Sequence, residues 1–362
     1  MGIDVRIYDD KGTPAYQIGD FFRLEAVRVL GDVGGCRLSI PEGKYKVGDF
    51  RRDMMIAFTY EVSGFGTSWV FLLRELGRIP GMILLDGDSP LCIAEDRIVA
   101  YPAHTAQTEK TDQADDIMRA VMRENLGASA TSSRDRSSYL TIGGDLAQGP
   151  NVSKSFAWQS VLTVLQDLRG QALIKGTKIY FDLVPVFSGQ NVRFRFDTYL
   201  NQPGVDRTTG SQKLVFSEER GNLIDPSVWY TWRQRPTYAY ALGQGEGEDR
   251  TQQEAAATGA SDSVWARVET YVDARMSETD AAVLAEAERE LASRGPIVRF
   301  EGGAVDTDGS RFAVDWNFGD RVIAEYNETE YECLIDTVHI DLQAGEPIAV
   351  SARLVYEGLI GS

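Results

Sequence analysis

A period of two, restarted after each glycine turn, constrains this chain more than any other feature. Phe22, Leu24 and Ala26 alternate with Arg23 and Glu25, Cys36, Leu38 and Ile40 alternate with Arg37 and Ser39, and Ile56, Phe58, Tyr60 and Val62 repeat the rhythm. Successive side chains of a strand point to opposite faces, so such runs bury one face and leave the other in water. Gly31, Gly34 and Gly35 supply one turn and Ser63-Gly64-Phe65-Gly66 another, before the apolar run from Trp69 to Leu73. The segment from Phe21 to Ala100 therefore predicts antiparallel strands in a small barrel or sandwich.

The period changes after Pro102. Ala114, Ile117, Met118, Val121 and Met122 fall at helical spacing, with Asp112 the expected N-cap and Gly127 just past the end. Ala128 to Pro150, rich in Ser, Thr and Gly, reads as a long loop. Trp158, Val161, Leu162, Leu165 and Leu168 mark a second helix closed by Gly170. A hairpin follows: Ile179 to Phe187 and Val192 to Leu200 flank Ser188-Gly189-Gln190-Asn191.

Strand character returns from Lys213 through Val228 to Trp232 and Tyr238 to Leu242, then stops at Gly243 to Glu248. Between Gln244 and Pro296 stand 12 acidic and 5 basic residues, and Glu278 to Ala292 places Val283, Leu284, Ala287 and Leu291 on one helical face. Strands resume over Val322 to Tyr326, Val338 to Leu342 and Val350 to Tyr356. The expected fold is mainly β with an α+β insertion, in four parts. A first β unit covers 1–101 and the α+β part 102–211. A second β unit is split into 212–248 and 297–362 around a helical acidic excursion, 249–296, expected to pack with the α+β part.

At 362 residues the chain is expected to divide into two to four structural units. Its 54 acidic against 37 basic side chains, net -17, repel nucleic acid unless basic residues are concentrated locally. The start, Met1-Gly2-Ile3-Asp4-Val5-Arg6, carries no export or myristoylation signal, and no apolar run approaches the roughly 20 residues of a membrane span, so a soluble chain without a membrane anchor is expected. Cys36, Cys92 and Cys333 are scattered and odd in number, which fits core thiols better than a disulfide framework or metal site.

Chemistry is sought at five places. His104 and His339 are the only histidines; His339 sits mid-strand opposite the apolar face. Gly243-Gln244-Gly245-Glu246-Gly247-Glu248 has the glycines of a phosphate loop but no lysine, and its glutamates would repel phosphate, so it reads as a tight turn. Asp306-Thr307-Asp308-Gly309-Ser310 lacks the remaining acidic ligands of a calcium loop and reads as a hairpin turn. Asp112, Asp115 and Asp116 suit a helix N-terminus better than a glycosidase pair. Trp229, Tyr230, Trp232, Tyr238 and Tyr240 could stack sugars, but core or interface is the favoured reading. No residue is assigned a catalytic, cofactor or metal role.

Three stretches, in order, carry a resemblance. They are Ile98 to Ala103 running to Met122-Arg123-Glu124-Asn125-Leu126-Gly127, then Tyr238 to Gly247 with Arg267 to Arg275, then Phe318-Gly319-Asp320-Arg321-Val322 with its strand through Leu342. Together they resemble the siphophage minor tail proteins that form the tail hub, related in fold to the baseplate hub of contractile-tailed phages. The resemblance implies two tail-tube-like antiparallel β-barrels joined by an α+β part, and a homotrimer presenting six similar units to the tube above. It implies a non-enzymatic structural protein of the virion tail tip, assembled in the host cytoplasm. Its expected partners are its own copies, the distal tail protein ring or tail tube, the tape-measure protein and tip fibre or spike proteins, with genome DNA only in transit. The alternatives are a tail-associated cell-wall hydrolase, which would need facing carboxylates or a metal, and a carbohydrate- or receptor-binding module, which would expose the Trp229 to Tyr240 rings.

Overall fold

The alternating runs become strands. The computed structural model describes residues 2–359 except 63, 101–107, 157, 233–234, 258, 276–278 and 295–296. In chain order β1 (Gly2–Tyr8), β2 (Pro14–Ile18), β3 (Arg23–Val29), β4 (Gly35–Pro41), β5 (Met55–Val62), β6 (Phe65–Ile79) and β7 (Met82–Asp88) pair antiparallel in the spatial order 3-4-7-6-5-1-2. Leu24, Ala26, Leu38, Ile40, Ile56 and Phe58 are buried, as their alternation requires.

A short helix, α1 (Cys92–Glu95), precedes the α+β part: β8 (Thr108–Gln113), α2 (Ala114–Asn125), β9 (Leu140–Ile142), β10 (Asn151–Phe156), α3 (Val161–Ile174), β11 (Ile179–Ser188) and β12 (Asn191–Leu200). Three expectations shift here. Asp112 is not the N-cap: it pairs with Val152 in the β8–β10 ladder, so the backbone stays extended through Gln113, the actual cap residue. The expected loop from Ala128 to Pro150 contains β9, held parallel to β12 with Leu140 buried. Gly170 does not close α3, which runs four residues further, while Trp158 lies outside it at positive φ. The β11–β12 hairpin turns at Gly189-Gln190, with register Ser188 to Asn191.

The remaining elements are β13 (Val215–Ser217), β14 (Leu223–Thr231), β15 (Tyr238–Leu242), β16 (Gln252–Ala256), β17 (Glu269–Asp273), α4 (Asp280–Ser293), β18 (Ile297–Val305), β19 (Arg321–Tyr326), β20 (Thr329–Gln343) and β21 (Ala349–Leu359). The segment expected to be a helical excursion thus holds two strands besides its helix. The chain is mainly β, 49% strand against 15% helix. The fifteen-residue β20 joins the early and late strands: it pairs with β19 and β21, and along its C-terminal half with β3, where Ile340 faces Ala26 and Leu342 faces Leu24. One thirteen-stranded sheet results. Its path stays open from β2 to β14 among the described residues, and no sheet is closed.

The chain divides into two units, the first of residues 1–173, 177–226 and 301–355, the second of 174–176, 227–300 and 356–362. In the first, a buried aromatic chain ties early strands to late ones. Tyr60 and Trp69 meet Phe312 at ring-centroid distances of 5.5 and 6.1 Å, Phe312 meets Trp316 at 5.0 Å, and Trp316 meets Phe216 at 6.2 Å. A second core packs Ile117, Met118 and Val121 of α2 and Val164, Leu165 and Leu168 of α3 with Phe181, Phe194 and Phe196 of the hairpin. Burial of this kind contributes roughly 1.5–3 kcal/mol per large apolar side chain and fixes the frame. In the second unit β15 lies between β16 and β17, and Val283, Ala287 and Leu291 of α4 pack on Ala239, Ala241 and Ala255. Thr279 caps α4, its Oγ1 accepting from Ala282 N–H.

Candidate functional site: an exposed aromatic face and two buried joints

Carboxylates that could have been catalytic serve the backbone instead. Asp115 and Asp116, buried at the start of α2, accept from the loop that follows β9: Leu146 N–H and Ala147 N–H reach Asp116 Oδ1 at 2.8 and 3.2 Å, and Gly149 N–H reaches Asp115 Oδ1 at 2.9 Å. Placed at a helix N-terminus, which favours negative charge, they clasp a glycine-rich loop that has no core of its own.

A second joint forms where residues 203–207 meet the turn before β19. Asp320, 1% exposed, accepts from Val205 N–H at 2.7 Å, from Arg207 Nε at 2.7 Å and from Asn317 N–H at 2.9 Å. Its surroundings are built on glycine: Gly319 has φ +84°, and a Cβ on Gly204 would lie 2.2 Å from Asp320 Oδ1. Asp320 belongs to the third of the stretches that carry the sequence resemblance, and its role there is to lock the chain's return into the late strands. Nothing in sequence separates this aspartate from an exposed turn residue.

The other candidates resolve as turns or strand positions. Gly243 to Thr251 is the β15–β16 loop, closed by Gly243 N–H to Thr251 O at 2.8 Å. Gly245 sits there at φ +100°, where a Cβ would lie 2.3 Å from Asp249 O. Thr307 and Ser310 close the turn after β18 with their hydroxyls 2.7 Å apart, while Asp306 accepts from Phe312 N–H. Burial raises the Asp306 pKa above the ordinary aspartate value. Among the described residues no group of His, Cys, Asp and Glu could hold a metal ion. His339 is half-buried in mid-β20 between Val27 and Ser351, and His104 lies outside the described residues. The three cysteines are buried, and burial pushes the Cys92 thiol up to about 11 although Arg74 donates to it. Such thiols are poor nucleophiles.

The aromatic residues are where sequence and structure part. Trp229, Tyr230 and Trp232 are 64%, 56% and 62% exposed, so the core reading fails for them. Tyr238 and Tyr240 follow from the strand period: Ala239 and Ala241 face α4, which leaves the tyrosines on the other side of the sheet, with Tyr271 beside Tyr240 on β17. Arg267 organises that face. Its guanidinium lies 3.8 Å from the Tyr238 ring centroid and donates to Tyr240 Oη and Glu269 Oε1, both at 2.5 Å. Trp265 in the loop before β17 is 87% exposed and Tyr271 71%. Both were missed in sequence, Trp265 because an isolated tryptophan among Ser, Asp and Ala has no period to report its environment. Scattered apolar residues on a surface are ordinary, but a set of exposed Trp and Tyr in one small unit has the composition of an interface.

Comparison with known proteins sets this geometry in a family. The family model described as Siphovirus ReqiPepy6 Gp37-like protein matches residues 4–354. No curated protein matches the sequence. Among solved structures, a tail protein from Neisseria meningitidis MC58 superposes with a TM-score of 0.52 at 14% identity, covering 98% of this chain and 97% of that one. The 43 kDa tail protein of prophage MuSo2 from Shewanella oneidensis gives 0.51 at 11% identity over 97% of each chain. Prophage tail protein gp18 from Listeria monocytogenes EGD-e gives 0.51 at 11% identity, covering 97% and 94%. At these identities the likeness is one of fold.

Proposed function

Because the chain belongs to the siphovirus ReqiPepy6 Gp37-like family of tail proteins, we propose that it is the structural hub closing the tail tube at its tip, working as a homotrimer and without catalysis. The family match over residues 4–354 carries this reading, and the arrangement of the late and early strands supports it. In this reading the two tube-like β units are the early strands, 1–101, and the late strands, 212–248 with 297–362, joined rigidly by β3 and β20. The α+β part, 102–211, comes between them in the chain, and residues 249–296 form an excursion from the second. Three copies then offer six similar β units to the ring above, which lets a threefold object meet a sixfold tube. The distal tail ring or tube, the tape-measure protein and the tip fibre or spike are its partners, and the exposed aromatics of the second unit are contact surface. An acidic wall would not retain DNA in passage, since phosphates gain nothing from carboxylates.

Light scattering on the purified protein, with electron microscopy of the particles, tests the assembly. Rings at three times the 40.0 kDa of one chain are expected; a monomer at every concentration would count against the trimer. The exposure of Trp229, Trp232 and Trp265 favours one second reading, a module that stacks host glycan on these rings. Tryptophan fluorescence separates the two: saturable quenching by host wall glycan supports glycan binding, and an unchanged spectrum supports protein contact.

A further inference from the structure

A cleft of about 660 Å³ opens in the first unit, with Lys11, Arg52, Arg74, Arg97 and Arg136 on its walls and Ile93, Leu140 and Phe194 supplying apolar surface. A net-acidic chain has assembled cations here from five separate segments. The cleft's own acids are already engaged: Asp10 pairs with Arg51 at 2.8 Å, while Asp53 and Asp96 both pair with Arg74, at 2.5 and 2.9 Å. Of the other cations, Lys11 stands at the rim, the largely exposed Arg52 lies 3.7 Å from Asp53, and Arg136 spends one nitrogen on the carbonyls of Ser133 and Asp135. Among the described residues the half-buried Arg97 guanidinium has no hydrogen-bond or ion-pair partner. Burial, then the charges of Arg136 and Arg134, lower its pKa, and the charge of Asp96 opposes them only in part. A cation kept in this condition is stabilised by any carboxylate that enters.

We infer that this cleft binds an acidic peptide segment of a partner protein, an Asp or Glu carboxylate pairing with Arg97 and Arg136 while a neighbouring apolar side chain lies on Ile93, Leu140 and Phe194. Charge complementarity and the apolar walls together select this occupant. A nucleic acid strand fits less well, because Asp10, Asp53 and Asp96 interrupt the cationic track that a run of phosphates would need. The cleft's chemistry is independent of the oligomeric state, so this inference goes beyond the hub reading and does not rest on it.

The test is fluorescence anisotropy of the full chain with a pool of fluorescein-labelled octapeptides in which Asp or Glu alternates with Leu or Phe. Saturable binding is expected, weakened roughly tenfold by Arg97→Ala, as for loss of one charge-assisted pair, and lost when Asn and Gln replace the acids. Arg52→Glu, at a largely exposed rim position, is expected to weaken binding several-fold and guards against misfolding of the Arg97 variant. No saturable binding at millimolar peptide, or binding indifferent to both substitutions, overturns the inference. So does a result in which inorganic phosphate or a short single-stranded oligodeoxynucleotide binds with Arg97 dependence and the peptides do not.

Discussion

At the residue scale the account rests on carboxylates whose partners are backbone and arginine rather than substrate. Asp320 is the clearest. Replacing it with Ala leaves Arg207, itself largely buried, without its counter-charge and two backbone N–H groups without an acceptor. Loss of one member of a buried pair costs about 3–5 kcal/mol, so urea denaturation of Asp320→Ala is expected to show that loss in the transition of the first unit; an unchanged midpoint would contradict it. Asp306 behaves oppositely. Burial raises its folded pKa above the unfolded value, so its favourable contribution is complete below the unfolded pKa and is lost as pH rises through the folded one. Asp306→Asn keeps an acceptor for Phe312 N–H and is expected to be more stable than the natural chain at neutral pH and no more stable in acid. Thermal melts at the two pH values check this. Neither role was legible in sequence, where Asp306 suggested a turn and Asp320 only a motif position, because a buried acceptor is defined by what folds over it.

At the element scale the period of two was a reliable guide wherever one face is buried. The alternations of β3, β4, β5, β12 and β20 emerged as strands with the expected faces inward. Helix α2 was legible from Ile117, Met118, Val121 and Met122, but its start was not: strand pairing of Asp112 with Val152, forty positions away, overrides a local capping preference. The same non-local cause hid β9, β16 and β17 inside segments that read as loop or helix. The clasp of α2 gives a test at this scale. Asp116→Ala removes the acceptor shared by Leu146 and Ala147 N–H, at about 1–3 kcal/mol. Hydrogen exchange at those two amides is expected to accelerate while the β11–β12 hairpin stays protected; protection unchanged at Leu146 and Ala147 would show that the loop is held by something else.

At the scale of the whole molecule two groups of strands, distant in sequence, form one sheet through β3 and β20, and a buried aromatic chain from Tyr60 to Phe216 reinforces the join. That β3 and β20 would be neighbours could not be read from sequence, since each alternates equally well against any partner. The exposure of Trp229, Tyr230 and Trp232 was likewise hidden: aromatic strand residues read the same whether covered by their own chain or by another. If protein contact covers them, Trp229→Ser with Trp265→Ser leaves the circular dichroism spectrum intact and lowers the fraction of trimer at a given concentration, measured by sedimentation. A full trimer yield would remove these rings from the subunit interface.

The central claim is a position in the particle. Gold-labelled antibody against this chain, applied to intact phage that carries it and viewed by electron microscopy, is predicted to mark the distal end of the tail and nowhere else. Label along the tube, at the neck, or absent from purified virions would contradict the assignment of this chain to the tail tip.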